Sequence, residues 1–254
     1  MLIKTIQTEK LNTYIYETRA QMGAAAAEAA ARAIKERIDA KGFANVIFAA
    51  APSQNETLEG LLKSSVDFSR VNAFHMDEYV GLGEQDAQSF ASYLNDHIFK
   101  RAPFASVNLI PATKDAETAC AEYTALLEQY PPDVVCMGIG ENGHIAFNDP
   151  PVADFKDPKV IKRVALDEIC RMQQVHDGCF PTLEKVPQYA LTLTVPALMS
   201  AKHLICTVPA ATKAGAVRAM LCGPYGEACP ATALRKHESA KMFLDRDSAS
   251  QVIE

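Results

Sequence analysis

The chain lacks several features that mark other classes of protein. Its 254 residues carry 25 Lys and Arg against 31 Asp and Glu, so it lacks the positive excess of a nucleic-acid surface. No apolar run is long enough to cross a bilayer, and the first residues lack the apolar core of a signal peptide. The seven cysteines include no Cys-x-x-Cys pair, which favours buried, reduced thiols. We therefore expect a cytoplasmic protein that binds neither nucleic acid nor membrane.

Short apolar runs alternate with helix-forming segments, and no segment is repeated. The sequence predicts strands at residues 45–51, 71–76, 107–110, 189–195, 203–208 and 240–244, with another that begins at residue 134. It predicts helices at residues 19–40, 89–100, 115–130 and 196–200, and two more that begin after residue 53 and end near residue 221. Residues 1–18 should add an edge segment. This order predicts one α/β domain over residues 1–254, with a three-layer αβα, Rossmann-like fold and a mainly parallel sheet.

The residues that follow position 134 combine a buried strand with a glycine-rich turn. The apolar run is typical of a strand covered on both faces, and it breaks into three glycines, the last of which is Gly143. His144 comes next, with Asn142 and Asp149 close by. Open α/β sheets place ligands at the carboxyl ends of their strands, so we predict that His144 is catalytic. The alternative is an ordinary turn whose histidine caps the next element.

Acidic residues close the second predicted strand. His75, Asp77 and Glu78 precede a glycine turn, and side chains two residues apart along a strand share a face. A carboxylate at this end of a strand is a candidate catalytic group, as in Asp77, whereas Glu78 could instead be a solvated or helix-capping carboxylate. His75, Asp77 and His144 have the chemistry of metal ligands. No spacing motif supports a metal site, and we predict none.

Two segments that follow predicted strands are suited to an anion. Residues 53–56 match the Ser-x-x-Glu capping box, and the free N–H groups at a helix start attract phosphate. Lys213 falls in the first turn of another helix, where its charge opposes the helix dipole unless an anion lies beside it. A plain helix cap and a surface lysine are the alternatives. We predict a phosphate pocket that includes Ser53, Gln54 and Lys213.

Residues 150–185 form a long, polar insert between the His144 turn and the next predicted strand. The insert carries charges of both signs, among them Asp154, Lys156 and Lys162, and shows no strong periodicity. Segments of this length are usually functional. We therefore predict that the insert is a lid.

Two long motifs resemble the glucosamine-6-phosphate deaminase (isomerase) family. Residues 76–82 read Met-Asp-Glu-Tyr-Val-Gly-Leu, and residues 138–148 read Gly-x-Gly-x-x-Gly-His-Ile-Ala-Phe-Asn, with an acidic residue next. Residues 186–192 and Lys213 follow in the family's order. The 6-phosphogluconolactonases, which share the fold, resemble the chain less well, because they have an arginine where this chain has Tyr79.

The resemblance implies an aldose–ketose isomerisation with deamination, in which glucosamine 6-phosphate and water give fructose 6-phosphate and ammonia. His144 would open the sugar ring, and Asp77 would take the proton from C2 and return one at C1. No metal or organic cofactor is implied. The predicted site residues are Asp77, Asn142, His144 and Asp149 for catalysis, and Ser53, Gln54, Glu78, Gly143 and Lys213 for the substrate.

Three departures from the family pattern bear on the site. Asn142 and Asp149 stand where the family often has Asp and Glu, and an asparagine can accept a hydrogen bond from the imidazole but brings no charge. The family's Gly-Gly-Thr-Pro phosphate turn is replaced at residues 52–56. The arginine that the family places in the insert falls near residues 175–176, and Arg171 is the nearest candidate to replace it.

The sequence leaves other functions open. The substrate could be another amino-sugar phosphate, such as galactosamine 6-phosphate. A 6-phosphogluconolactonase-type hydrolase would release a carboxylic acid in place of ammonia. A sugar-phosphate sensor without turnover would account for the altered phosphate turn and for Asn142, but a pure binder needs neither Asp77 nor His144. The question of a homo-oligomer also stays open.

Overall fold

A computed structural model describes residues 1–176 and 178–253. The strands are β1 (Leu2–Thr8), β2 (Leu11–Tyr16), β3 (Ala44–Phe48), β4 (Val71–His75), β5 (Asp77–Tyr79), β6 (Ser106–Asn108), β7 (Val134–Met137), β8 (Ile161–Ala165), β9 (Tyr189–Leu193), β10 (His203–Val208) and β11 (Ala240–Asp245). The α-helices are α1 (Arg19–Lys41), α2 (Asn55–Leu62), α3 (Phe90–Leu94), α4 (Ala116–Gln129), α5 (Glu168–His176), α6 (Val195–Met199) and α7 (Ala214–Cys222). Within these two stretches of chain, no helix has the length and apolar character needed to cross a membrane.

The main sheet has eight strands in the order β1-β2-β11-β10-β7-β3-β4-β6. Its neighbours run parallel except for β1 and β2, which form an antiparallel hairpin at one edge. Every residue of β7 is buried, with Val134 and Cys136 in one apolar layer and Val135 and Met137 in the other. The predicted three-layer fold with a mainly parallel sheet is confirmed.

Helices cover both faces of this sheet. α1, α2 and α3 contribute to the apolar layer on one face, and α4, α6 and α7 contribute to the layer on the other. α1 is rich in alanine, and it begins where the Thr18 side chain accepts a hydrogen bond from the Gln21 N–H. It ends at Lys41 and is capped by Gly42, whose φ of 88° is the left-handed conformation typical of a helix cap.

A second sheet is antiparallel and has three strands in the order β5-β9-β8. Asp77 of β5 pairs with Thr192 of β9, and Ile161 of β8 pairs with Leu193. The insert at residues 150–185 therefore contains a regular strand, β8, although its sequence shows only weak periodicity. This strand forms because it pairs with β9, which lies outside the insert. Asp177, within the insert, lies outside the described residues.

Candidate active site

A cleft opens at the carboxyl ends of the central strands of the main sheet. The chain continues from β3 to β4 on one side and from β7 to β10 on the other, so the strand order reverses between β3 and β7. The loops after β3, β4, β7 and β10 line the cleft, and they contribute Ser53, Asp77, Gly140, His144 and Lys213. Open α/β sheets bind ligands at such a switch point, and here it brings together residues that lie far apart in the chain.

The turn that carries His144 depends on two glycines. Gly143 has a φ of 85°, and its N–H donates to the Gly140 carbonyl at 3.0 Å. A Cβ on Gly140 would lie 2.1 Å from His144 Cε1, so the imidazole fits only because this position has no side chain. Gly143 lies within the turn, where its carbonyl accepts from the Ala231 N–H at 2.9 Å, and does not line the cleft. Its role is to shape the turn, in place of the substrate contact that we predicted.

His144, Asn142 and Asp149 form one hydrogen-bonded group. Asn142 Oδ1 accepts from the His144 backbone N–H at 3.0 Å and lies 2.8 Å from His144 Nδ1, while Asn142 Nδ2 donates to Asp149 Oδ1 at 2.8 Å. Asp149 Oδ1 is also 3.0 Å from His144 Nδ1. Because these groups occupy the Nδ1 side, Nε2 is the ring nitrogen left for chemistry in the cleft. The structure thus brings these three predicted residues together.

The Asp149 carboxylate keeps its charge although it is buried. Burial acts to raise its pKa, but the hydrogen bonds from His144 and Asn142 outweigh burial and hold the pKa below its ordinary value. The donor atoms of His144, Asp149 and Cys170 lie within 4.8 Å of one another, a spacing that a metal ion could exploit. Burial raises the pKa of the Cys170 thiol well above its ordinary value, so the thiol is protonated when no metal is bound.

The loop after the imidazole adopts a strained conformation. Ala146 lines the cleft with a φ of 49°, which is uncommon for a residue with a side chain. Asn148, which is completely buried, fixes this loop to the second sheet, because its Nδ2 donates to the Leu193 carbonyl at 2.8 Å. Strained residues persist where the surrounding structure holds them, and they cluster at functional sites.

Asp77 lines the same cleft as His144. It begins β5, at the point where the chain leaves the main sheet, and its side chain is buried. Burial, with a smaller contribution from the charge of Glu78, raises the pKa of Asp77 well above its ordinary value. A carboxylate with a raised pKa is a stronger base, which suits the removal of a proton from carbon.

His75 lies outside the cleft lining, although the alternation of a strand indicated that it shares a face with Asp77. β4 ends at His75, and the chain enters the second sheet at Asp77, so the alternation does not continue between them. His75 Nε2 accepts from the Ile110 N–H at 2.8 Å, and its ring lies edge-on to Tyr123. Burial lowers the pKa of His75 to about 3, so the ring stays neutral. The fold does not assemble His75, Asp77 and His144 into a metal site.

Glu78 caps a helix, which corrects its predicted contact with substrate. Its carboxylate accepts hydrogen bonds from the backbone N–H groups of Tyr79 at 2.9 Å, Phe90 at 3.1 Å and Ala91 at 2.8 Å. Burial raises the pKa of Glu78 to about 7 in spite of these three bonds. Neighbouring residues of a strand face opposite sides, so β5 directs Asp77 to the cleft and Glu78 to the start of α3.

The anion end of the cleft contains Ser53 and Lys213, whereas Gln54 lies beneath it. Ser53 belongs to a 3₁₀ turn, Pro52–Gln54, which precedes α2 and replaces the predicted capping box. Gln54 is buried, and its Nε2 donates to Ser53 Oγ at 3.1 Å and to the Thr207 carbonyl at 3.2 Å. Gln54 therefore supports Ser53 and does not line the cleft, contrary to our prediction. Lys213 ends a similar turn before α7 and does line it.

Arg19 at the start of α1, and Gln173 and Gln174 on α5, also line the cleft, and no sequence motif marks them. Arg171, the candidate for the family's arginine, lies elsewhere. Its Nη2 donates to two carbonyls within residues 183–186, at 2.7 and 3.0 Å. The insert therefore presents neutral amides to the cleft where the family pattern has a cation.

The fold and the cleft define an α/β protein whose site can hold an anion and move protons through a histidine and a buried carboxylate. Residues 17–243 match the family described as glucosamine-6-phosphate isomerases/6-phosphogluconolactonase. The chain belongs to this family. The resemblance to this family that two sequence motifs indicated is therefore confirmed, and the match covers most of the chain.

Similar proteins cover nearly the full length of the chain. It is 30% identical to a glucosamine-6-phosphate deaminase from Lactobacillus delbrueckii subsp. bulgaricus, over 93% of the chain and 97% of the relative. It is 34% identical to one from Bacillus thuringiensis, over 88% of the chain and 84% of the relative. A solved structure of a monomeric glucosamine-6-phosphate deaminase matches with a TM-score of 0.87 and 29% identity, over 94% of this chain and 99% of that one.

Proposed function

We propose that the protein converts glucosamine 6-phosphate and water into fructose 6-phosphate and ammonia. The observation that carries the proposal is that Asp77 and His144 meet in one cleft. Burial raises the pKa of Asp77, and the imidazole of His144 is held by Asn142 and Asp149. The two relatives from Lactobacillus and Bacillus carry the name of this activity. We expect the reaction to need no metal or organic cofactor.

The phosphate is proposed to bind at the end of the cleft that holds Ser53 and Lys213. Lys213 is only 6% exposed, and the turns that carry these two residues lead directly into α2 and α7. The start of a helix favours a negative charge, and a buried lysine is more stable beside an anion. With the phosphate there, the sugar extends along the cleft towards Asp77 and His144.

The reaction then proceeds in two stages. His144 Nε2 moves a proton from the anomeric hydroxyl to the ring oxygen, and the ring opens to the aldehyde. Asp77 removes the proton from C2, which gives an enolamine, and returns a proton to C1. Water adds to the resulting imine at C2, and ammonia leaves as fructose 6-phosphate forms. The charge on Asp149 stabilises the imidazolium that exists during ring opening.

The insert at residues 150–185 is proposed as a lid. Gln173 and Gln174 on its helix line the cleft, and Gln173 Oε1 accepts from the Glu141 N–H at 2.9 Å, which joins the lid to the glycine turn. Every residue named in this mechanism comes from one chain. We also propose a cytoplasmic role in amino-sugar catabolism, such as the use of N-acetylglucosamine.

A lactonase is a weaker candidate because of Tyr79, which stands where the lactonases have an arginine. Its side chain is completely buried, with ring centroids 4.9 Å from Phe90, 5.4 Å from Phe147 and 5.3 Å from Phe180. This aromatic cluster leaves no cation at the position, and it supports the deaminase.

The test is an ammonia-release assay over a panel of hexosamine 6-phosphates, with 6-phosphogluconolactone hydrolysis measured in parallel. Ammonia from glucosamine 6-phosphate, with the matching amount of fructose 6-phosphate, is the expected result. A preference for galactosamine 6-phosphate would change the substrate and keep the reaction. Carboxylic acid without ammonia would identify a lactonase, and binding of the sugar phosphates without any product would identify a sensor.

A further inference from the structure

We propose that Arg19, the first residue of α1, supplies the second cation of the phosphate site and replaces the arginine that the family carries in its insert. This inference rests on the proposed function, because it assigns the phosphate of that substrate to a particular set of side chains. Arg19 lines the same cleft as Ser53 and Lys213, with 37% of its side chain exposed. No other arginine lines the cleft within residues 1–176 and 178–253.

One edge of the Arg19 guanidinium is held by the turn that carries Ser53. Its Nε donates to Glu56 Oε1 at 2.8 Å, and its Nη2 donates to the Pro52 carbonyl. A guanidinium has five N–H donors in a rigid plane, so two fixed bonds on one edge orient the whole group. In the part of the chain that the structure describes, Nη1 makes no hydrogen bond to protein and stays available to an anion in the cleft. A phosphate can accept both a bond from such an arginine and one from Lys213.

The position of Arg19 depends on a close approach of α1 and α2. A Cβ on Gly23 would lie 2.2 Å from Glu56 Cβ, and a Cβ on Gly60 would lie 2.5 Å from Ala27 Cβ. The two helices can therefore touch only where these glycines lack side chains. This contact brings the start of α1 within reach of Glu56 and the phosphate turn.

The arrangement separates phosphate recognition from the lid. Arg19 begins α1 and Lys213 immediately precedes α7, and both helices pack on the main sheet, whereas the lid contributes the amides of Gln173 and Gln174. Arg171 of the lid bonds to carbonyls of the lid itself. Both cations that we assign to the phosphate therefore lie outside the lid.

The competing explanation is that Arg19 only joins α1 to α2 through Glu56. Arg19→Met and Glu56→Gln both break this ion pair, but only the first removes the cation. We expect Arg19→Met to raise KM for glucosamine 6-phosphate, and Ki for inorganic phosphate, roughly 10- to 100-fold, with a much smaller change in kcat. We expect Glu56→Gln to raise both constants much less, although the two variants lose similar thermal stability. Arg32→Met is the charge-matched control, since Arg32 pairs with Glu28 on the same helix away from the cleft.

The readouts distinguish failure of the inference from failure of the proposed function. Equal losses of phosphate affinity in Arg19→Met and Glu56→Gln, or unchanged KM and Ki in Arg19→Met, would overturn the role of Arg19 while the deaminase activity stands. If wild type releases no ammonia, the role of Arg19 can still be tested by measuring the binding of inorganic phosphate to each protein by calorimetry. Binding that weakens in Arg19→Met, but not in Arg32→Met, would support the site, and equal binding in all three proteins would overturn it.

Discussion

Replacement of Asp77 by asparagine removes the proposed base and keeps the shape of the side chain. A positioned general base typically contributes about 10²–10⁴ to the rate, so we expect kcat to fall by roughly this factor. KM should stay within a few-fold of wild type, because Ser53 and Lys213, which we assign to the phosphate, are unchanged. Proton transfer at carbon should disappear while ring opening by His144 continues.

The pH dependence of wild type gives a second measure of the same residue. A base must be deprotonated to act, and burial raises the pKa of Asp77 well above 3.8. Activity should therefore fall, as the solution is acidified, at a pH well above that of an ordinary aspartate. The acidic limb of kcat/KM reports this group in the free enzyme.

The raised pKa also predicts how the variant changes stability. The native pKa of Asp77 lies above its unfolded value, so the protonated carboxyl contributes stability that is present below the unfolded pKa and is lost as pH rises through the native pKa. An asparagine cannot ionise. We therefore expect Asp77→Asn to have a higher Tm than wild type at pH 8, and expect the difference to shrink towards acidic pH.

The decisive assay is isotope exchange in D₂O. Wild type should place deuterium at C1 of fructose 6-phosphate, and Asp77→Asn should not. Exchange at the wild-type rate in the variant would refute the assignment of Asp77 as the base. A Tm at pH 8 that is lower for Asp77→Asn than for wild type would contradict the argument that burial destabilises the charged carboxylate, whatever the activity of the variant.

Three further substitutions test residues in the cleft and residues that support it. Lys213→Ala should raise KM far more than it lowers kcat, by an amount that corresponds to about 1.5–3 kcal/mol for a lost charged hydrogen bond; a normal KM would remove Lys213 from the phosphate site. Asn142→Asp places a second carboxylate beside His144, so the pH dependence of kcat should differ from that of wild type, and superimposable profiles would contradict this. Glu78→Gln should lower the free energy of unfolding in urea by about 1–3 kcal/mol, because one amide oxygen cannot satisfy three N–H donors. A raised KM with no change in the free energy of unfolding would instead indicate that Glu78 contacts the substrate.

The sequence alone determined the features that depend on neighbouring residues. The buried strand at β7, the glycines after it and His144 lie within a few residues of one another, so local periodicity and backbone freedom are enough to predict them. Asn142 and Asp149 lie within a few residues of His144, and the family resemblance indicated that all three belong to one site; the structure joins them by hydrogen bonds. α1 was predicted for a similar reason, because helix propensity and capping act over a few residues.

Tertiary structure decided which side chain of each neighbouring pair enters the cleft. Ser53 and Gln54 are adjacent, as are Asp77 and Glu78, yet only the first of each pair lines the cleft. A 3₁₀ turn in one case and the second sheet in the other set these directions, and both depend on contacts with distant segments. Gln54 bonds to the Thr207 carbonyl, for example, which is 153 positions away.

The second sheet and the place of Arg19 also required the fold. β5, β8 and β9 are short strands whose partners lie far apart in the chain, so periodicity could predict β9 as a strand but not the sheet to which it belongs. Arg19 reaches the cleft because two glycine contacts let α1 and α2 approach, and its partner Glu56 is 37 positions away. Local pattern reports the preference of a segment for helix or strand, whereas the meeting of two segments depends on the packing energy of the whole domain.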